Sequence, residues 1–161
     1  EGWRYTGMGQ YGPNMSRLDR LMVALGSTRD RRATGAIIAK LELLKPEDAF
    51  SHFRAVALAL ERLEDSAAAG PLAELLSTPG IGGHATTTIQ GAIQEARKWP
   101  SWNATEPRSN AIRELILSRA LFLCGDKDGL ARKTLEAYTK DLRGHLSRHA
   151  QAILQSRRKL D

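Results

Sequence analysis

One cysteine in 161 residues, Cys124, leaves nothing for it to pair with inside the chain. The small disulfide-stapled scaffolds are therefore excluded. Cys124 ends the apolar run that starts at Leu121, and no cation stands beside it in the sequence, so it reads as a small buried residue rather than a reactive thiol. Aromatics are scarce as well, with three each of Trp, Tyr and Phe. With Ala and Leu abundant, that scarcity favours close-packed helices over a β-sandwich. No apolar run approaches the roughly 18 residues that a membrane-spanning helix needs. The chain opens Glu1-Gly2-Trp3-Arg4, with neither an initiator Met nor a secretory leader, and it is expected to be part of a longer or processed polypeptide.

What is present is enough apolar residue for one domain with a proper core and a net charge of +6 that is unevenly spread. Residues 1–45 carry eight Lys or Arg against four acids, residues 46–98 four against seven, and residues 99–161 twelve against seven. Basic ends can attract nucleic acid or an anionic surface. Consecutive cations are few, among them Arg31-Arg32, Arg132-Lys133 and Arg157-Arg158-Lys159, and most of the others are interleaved with acids at helical spacing. That pattern favours solvated helix faces over a nucleic-acid site.

An internal repeat organises the chain. Residues 21–30 (LMVALGSTRD) align with residues 56–65 (VALALERLED) at an offset of 35, which puts Ala24 on Ala59, Leu25 on Leu60 and Asp30 on Asp65. Beyond the Asp, Ala33 falls on Ala68, Gly35 on Gly70, Ile37 on Leu72 and Leu41 on Leu76. A third copy of the joint, residues 120–126 (ALFLCGD), follows 61 residues after the second. The unit is helix, short turn marked by Asp, helix. An Asp there can cap the free N–H groups of the second helix, and Ala, Leu and Ile at helical spacing give each helix a buried stripe. The pattern predicts eight helices near 16–26, 30–44, 48–64, 66–78, 83–98, 108–125, 127–141 and 143–157. Pro46, Pro79-Gly80 and Pro107 fall between them. Helix 83–98 is the weakest, because Thr86-Thr87-Thr88 and Gly91 form helices poorly. Residues 99–107 (WPSWNATEP) read as a linker, within which Asn103-Ala104-Thr105 matches a glycosylation acceptor by chance composition.

Residues 30–44 (DRRATGAIIAKLELL), 53–65 (FRAVALALERLED) and 69–76 (AGPLAELL) resemble the short HEAT repeats of the phycobilisome-lyase type, although the period is shorter than the usual HEAT spacing of about 40–47 residues. The resemblance implies an all-α fold, a right-handed α-α superhelix over residues 16–161, preceded by a Gly/aromatic arm, residues 1–15. In the arm, Gly7-Met8-Gly9-Gln10-Tyr11-Gly12 is a literal G-x-G-x-x-G, but no buried strand precedes it and Pro13-Asn14 follows where a helix should open. A glycine-rich arm draped over the first helix, anchored by Trp3, Tyr5 and Tyr11, is the better expectation.

The remaining motifs are weak. His145 and His149 stand four apart on one helix, but Leu146 occupies the position of the catalytic Glu in H-E-x-x-H, and no third ligand is supplied nearby. His52, His84 and His145 each fall near a predicted helix start and could line up as a ridge in a stacked array, with Arg54, Arg108, Arg148 and His149 completing a candidate interaction surface. Turn-forming roles compete with that reading. Glu61 and Glu64 read as exposed helix charges. No catalytic residue, metal ligand or cofactor-binding residue is assigned.

Five segments, residues 7–12 (GMGQYG), 51–61 (SHFRAVALALE), 83–86 (GHAT), 108–115 (RSNAIREL) and 142–149 (LRGHLSRH), also resemble the C-terminal helical tail of bacterial FAD-dependent oxidoreductases. That resemblance implies a non-catalytic accessory domain that packs on its parent enzyme or another protein, with FAD bound by an upstream domain and not by this chain. The alternative is a nucleic-acid-binding HEAT-like domain, which requires Arg29, Arg31, Arg32, Arg132, Lys133, Arg143 and Arg148 to share one face.

Overall fold

The computed structural model describes residues 15–99, 101 and 103–157. All but the last residue of the Gly/aromatic arm, with its G-x-G-x-x-G and its three aromatic anchors, lies outside the described residues, as does most of the C-terminal basic run. The described residues form an all-α fold of eight helices: α1 (Arg17–Ser27), α2 (Thr34–Leu41), α3 (Phe50–Leu63), α4 (Ala69–Ser77), α5 (Ile89–Lys98), α6 (Glu106–Cys124), α7 (Leu130–Thr139) and α8 (Gly144–Arg157). No helix among them is long and apolar enough to cross a membrane.

Each Asp joint is a local folding device. The first helix of a pair stops at a left-handed residue, Arg29 (φ 56°) in the first joint and Glu64 (φ 45°) in the second, while Gly125 (φ 123°) ends α6. The Asp that follows then turns the chain. Asp30 accepts the Arg32 N–H at 3.0 Å and Asp65 accepts the Ala67 N–H at 3.1 Å, each opening a single 3-10 turn that leads into α2 or α4. Asp126 does the same work with a different reach, accepting the Ala131 N–H at 2.7 Å in the first turn of α7. Side-chain caps of this kind satisfy donors that a helix start leaves free and are worth about 1 kcal/mol each.

Neighbouring pairs are tied together at the same joints. The Thr34 hydroxyl donates to Asp65 at 2.8 Å, and the Arg31 guanidinium donates to the Glu64 carbonyl at 3.0 Å. Helices α1, α3 and α6 pack side by side, with α2 and α4 behind them, while α7 packs on α6 and α8 packs on α7. The α1–α3 contact is very close: a Cβ on Gly26 would lie 2.4 Å from the Ala59 Cα. The core between the layers holds Phe53, Val56, Leu60, Leu72, Leu115, Leu121, Phe122 and Leu135, all essentially inaccessible. Each such side chain contributes about 1.5–3 kcal/mol of burial. Cys124 belongs to this core, its thiol donating to the Leu60 carbonyl at 3.5 Å across the α3–α6 interface.

Two expected boundaries are corrected. Pro107 does not separate helices; it stands in the first turn of α6, which begins at Glu106, a position where the missing N–H costs nothing. Helix α5 starts at Ile89 rather than near residue 83, because backbone N–H groups of the preceding segment are taken by side chains from α6 and from the turn between α7 and α8.

Candidate interaction surface

The segment between α4 and α5 is irregular yet closely held. It turns at Gly80 (φ 87°) and Gly83 (φ 86°), where the left-handed backbone requires glycine, and Ile81 between them is fully buried. Glu114 of α6, itself buried, accepts the Gly83 and His84 N–H groups at 2.8 Å each and the Tyr138 hydroxyl at 2.7 Å. Burial first, then the Glu114 charge and hydrogen bond, pushes the Tyr138 hydroxyl far above the usual phenol range, so it remains a donor. The adjacent Arg113 lies over the Phe53 ring, 4.9 Å from its centre, and donates to the carbonyls of Pro46 at 2.7 Å and Gly80 at 2.6 Å. Burial lowers the Arg113 pKa.

A second fork closes the segment from the α7–α8 turn. Asp141 accepts the Thr86 N–H at 2.8 Å, and the Leu142 N–H donates to the Thr86 carbonyl at 2.9 Å. Arg143 donates from Nε and Nη2 to Asp141 at 2.8 and 2.7 Å and from Nη2 to the His84 carbonyl at 2.7 Å. Burial alone would raise the Asp141 pKa, but the hydrogen bonds from Arg143 and from the Thr86 and Arg143 N–H groups outweigh it and hold the carboxyl below its usual value. The Arg143 pKa is raised by the same pairing.

This polar brace presents α5. The Thr88 hydroxyl caps the helix by accepting the Gly91 N–H at 3.0 Å. No residue of α5 is buried. Its half-buried residues are Gly91, Ala92 and Glu95; Glu95 accepts the Trp99 indole N–H at 3.2 Å and lies close enough to Arg143 to raise that residue's pKa. Ile89, Ile93 and Ala96, at i, i+4 and i+7, form the opposite stripe and point to solvent, with Ile89 68% and Ile93 46% exposed. Arg97 and Lys98 stand beside that stripe, both exposed. Leu142, joined to Thr86 by the backbone, is exposed as well.

The sequence-predicted residues distribute unevenly around this surface. Arg143 links the His84 and Pro107 carbonyls, which places His84, Arg108 and the start of α8 with His145 around one fork. His84 is half-buried, its Nε2 facing the Gly80 carbonyl at 3.2 Å. Arg54, Arg108, His145, Arg148 and His149 are exposed. His52 is not on the surface: it is buried, its Nδ1 2.8 Å from the fully buried Asp19, whose other oxygen accepts the Ser16 N–H in the capping box of α1. A ridge of three exposed histidines is thereby removed. Desolvation, then the Arg119 charge, lowers the His149 pKa. Among the described residues no group of three His, Cys, Asp or Glu side chains could hold a metal ion.

The basic residues divide. Arg29, Arg31 and Arg32 sit at the first joint, where Arg31 serves the α3 carbonyls and Arg32 forks onto Asp30. Arg132 lies over the Phe122 ring at 5.5 Å, with Lys133 exposed next to it. Arg143 belongs to the brace beyond the far end of α7, about 15 Å along the helix from Arg132 by helical rise. Near the first joint Arg29, Arg31, Arg62 and Arg119 line a cleft of about 460 Å³ with Glu61 and Glu64. Glu61 is not a freely exposed charge: burial raises its pKa, and Arg119 pairs with it at 3.0 Å.

Arg113, Glu114, Tyr138 and Asp141 were not singled out from the sequence. The one sign available was two adjacent charges, Arg113 and Glu114, inside the apolar run of α6 at positions in phase with Ala111, Leu115 and Ser118. No family model matches the chain, and neither a curated protein nor a solved structure is found to be similar to it.

Proposed function

We propose that the chain is a non-catalytic docking domain, a right-handed superhelix of HEAT-like repeats, whose contact element is α5. The observation that carries this reading is the exposure of that helix: Ile89 and Ile93 face water, while its half-buried residues are only Gly91, Ala92 and Glu95. Exposed apolar stripes of this kind mark interaction sites, and an amphipathic helix laid against a partner's groove is a recurrent binding mode. The brace of Arg113, Glu114, Asp141 and Arg143 supports the reading, since a contact element held in one conformation loses little entropy on binding. Irregular segments positioned by a rigid scaffold are also where function concentrates.

In the parent protein, an FAD-dependent oxidoreductase, the domain serves as the C-terminal helical tail and packs on the flavin-binding part. The flavin chemistry belongs to that upstream domain; this chain contributes the docking surface. The test uses the whole polypeptide encoded by the surrounding reading frame. It is expected to carry flavin absorbance, to protect the α5 amides from hydrogen exchange relative to the isolated chain, and to lose that protection with Ile89→Glu and Ile93→Glu. A polypeptide with no strand–GxGxxG–helix unit upstream would refute the parentage, and equal α5 exchange in both contexts would refute the docking role.

A further inference from the structure

We propose that the cleft at the first joint is a binding site for a small phosphate monoester, separate from α5 and independent of the docking role. Its charged lining comes from three parts of the fold: Arg29 and Arg31 between α1 and α2, Glu61, Arg62 and Glu64 at the end of α3, and Arg119 on α6. Four arginines against two carboxylates leave an excess of two positive charges. A phosphate monoester brings close to two negative charges at neutral pH. The fold already sets the guanidinium groups in place. Arg31 is held by the Leu63 and Glu64 carbonyls, Arg62 by the Ser27 hydroxyl, and Arg119 by Glu61 at 3.0 Å. Each guanidinium carries five N–H donors, and these contacts employ one or two of them. Burial raises the Glu61 pKa, and the charges of Arg119, Arg62 and Glu64 all act on that same carboxyl, so these side chains converge.

Arg29 differs from the other three. Its side chain makes no hydrogen bond or ion pair with any described residue, yet it occupies the left-handed position that ends the first helix of the pair (φ 56°). Left-handed backbone favours glycine, and Gly125 stands at the matching place after α6. The matching residue of the second joint, Glu64 (φ 45°), also lines the cleft. Two joints thus keep charged residues where glycine would cost less, and strain retained in this way accompanies functional positions. The shape of the charge selects the ligand. One guanidinium fork satisfies a planar carboxylate, whereas the tetrahedral oxygens of a phosphate accept forks arriving from several sides. Leu123 adds an apolar wall, and a volume of about 460 Å³ exceeds a bare phosphate, which fits an ester carrying a small organic group. A phosphodiester backbone laid along the cleft would instead meet both carboxylates.

Nuclear magnetic resonance titration of the whole chain with phenyl phosphate, inorganic phosphate and succinate, at constant ionic strength, supplies the test. Phenyl phosphate is expected to give saturable shifts around both joints and to bind about ten-fold tighter than succinate. It should also bind about three-fold tighter than inorganic phosphate, through the apolar wall. Arg29→Gly is expected to weaken phenyl phosphate about ten-fold while raising the melting temperature, since it removes a ligand and relieves the left-handed residue. Glu61→Gln should tighten binding about three-fold, because a repelling charge leaves the cleft. Arginines that only hold the helices together would give neither change. Shifts that do not saturate, binding indifferent to Arg29→Gly, or succinate bound as tightly as phenyl phosphate overturns the proposal. A DNA duplex that binds more tightly than phenyl phosphate and is weakened by Arg29→Gly assigns the cleft to nucleic acid, which overturns it as well.

Discussion

In the first two helical pairs the chain fixes itself by short-range means. A left-handed residue and an Asp stand at each joint, and a side chain from one joint reaches the next. The segment from Thr78 to Thr88 is fixed instead by side chains drawn from α6 and from the α7–α8 turn, 30 to 59 residues away. The first arrangement costs little to repeat, since each joint needs only local residues and a small contact surface such as Gly26 against Ala59. The second buries an arginine and two carboxylates, so removing a partner of any of them strands a buried charge. Regular stacking thus builds the body, and a concentrated set of buried charges holds the one element that departs from it.

Four substitutions would break or sharpen that contrast. The largest effect is expected from Glu114→Ala, which leaves the Gly83 and His84 N–H groups without their acceptor and the Tyr138 hydroxyl with only the Ala111 carbonyl at 3.3 Å. Urea unfolding should show a loss of about 3–4 kcal/mol, and hydrogen exchange should rise first in residues 83–88. Gly26→Ala comes next at about 2 kcal/mol, because the added Cβ meets backbone rather than a movable side chain; here the loss should come without any change in exchange at residues 83–88. Asp65→Ala removes one cap and the link to Thr34, and thermal unfolding should report about 1 kcal/mol. Ile93→Glu should change stability by less than about 0.5 kcal/mol, while removing α5 protection in the whole polypeptide.

Acid titration separates the same two regions. Asp141 has a folded-state pKa below the ordinary aspartate value. The stability it contributes is therefore fully present above that value and is lost as pH falls through the lowered folded-state pKa. Asp65 shifts in the same direction, with the Thr34 hydrogen bond as the first cause. Asp141→Asn should flatten the acid limb of the stability profile and loosen the Thr86 region, whereas Asp65→Asn should flatten it and leave Thr86 protected.

The sequence carried the helices and joints because both rest on local chemistry. Periodicity and an Asp at a fixed spacing place them within a few residues. It placed the start of α5 too early although Thr86, Thr87 and Thr88 form helices poorly, and only the fold shows that Glu114 and Asp141 take N–H groups of that segment. It also placed His52 among exposed histidines, since proximity to a helix start says nothing about which face a residue occupies; Ser51, His52 and Phe53 all turn inward. The buried charges of α6 were readable only as an anomaly of pattern, and their partners stayed hidden because those contacts span long stretches of chain. The outward stripe of α5 could not be read from periodicity either, as an amphipathic helix looks the same whether its apolar side is covered or bare.

Cys124, the only cysteine, makes the molecule its own stopwatch. Its thiol is enclosed between α3 and α6, so a membrane-permeant or soluble alkylating reagent can reach it only when those helices part. The labelling rate then counts openings of that interface directly, and at high reagent concentration it reports the opening rate itself. No engineered probe is needed, and a partner that clamps α3 against α6 would slow the clock without touching the sulfur.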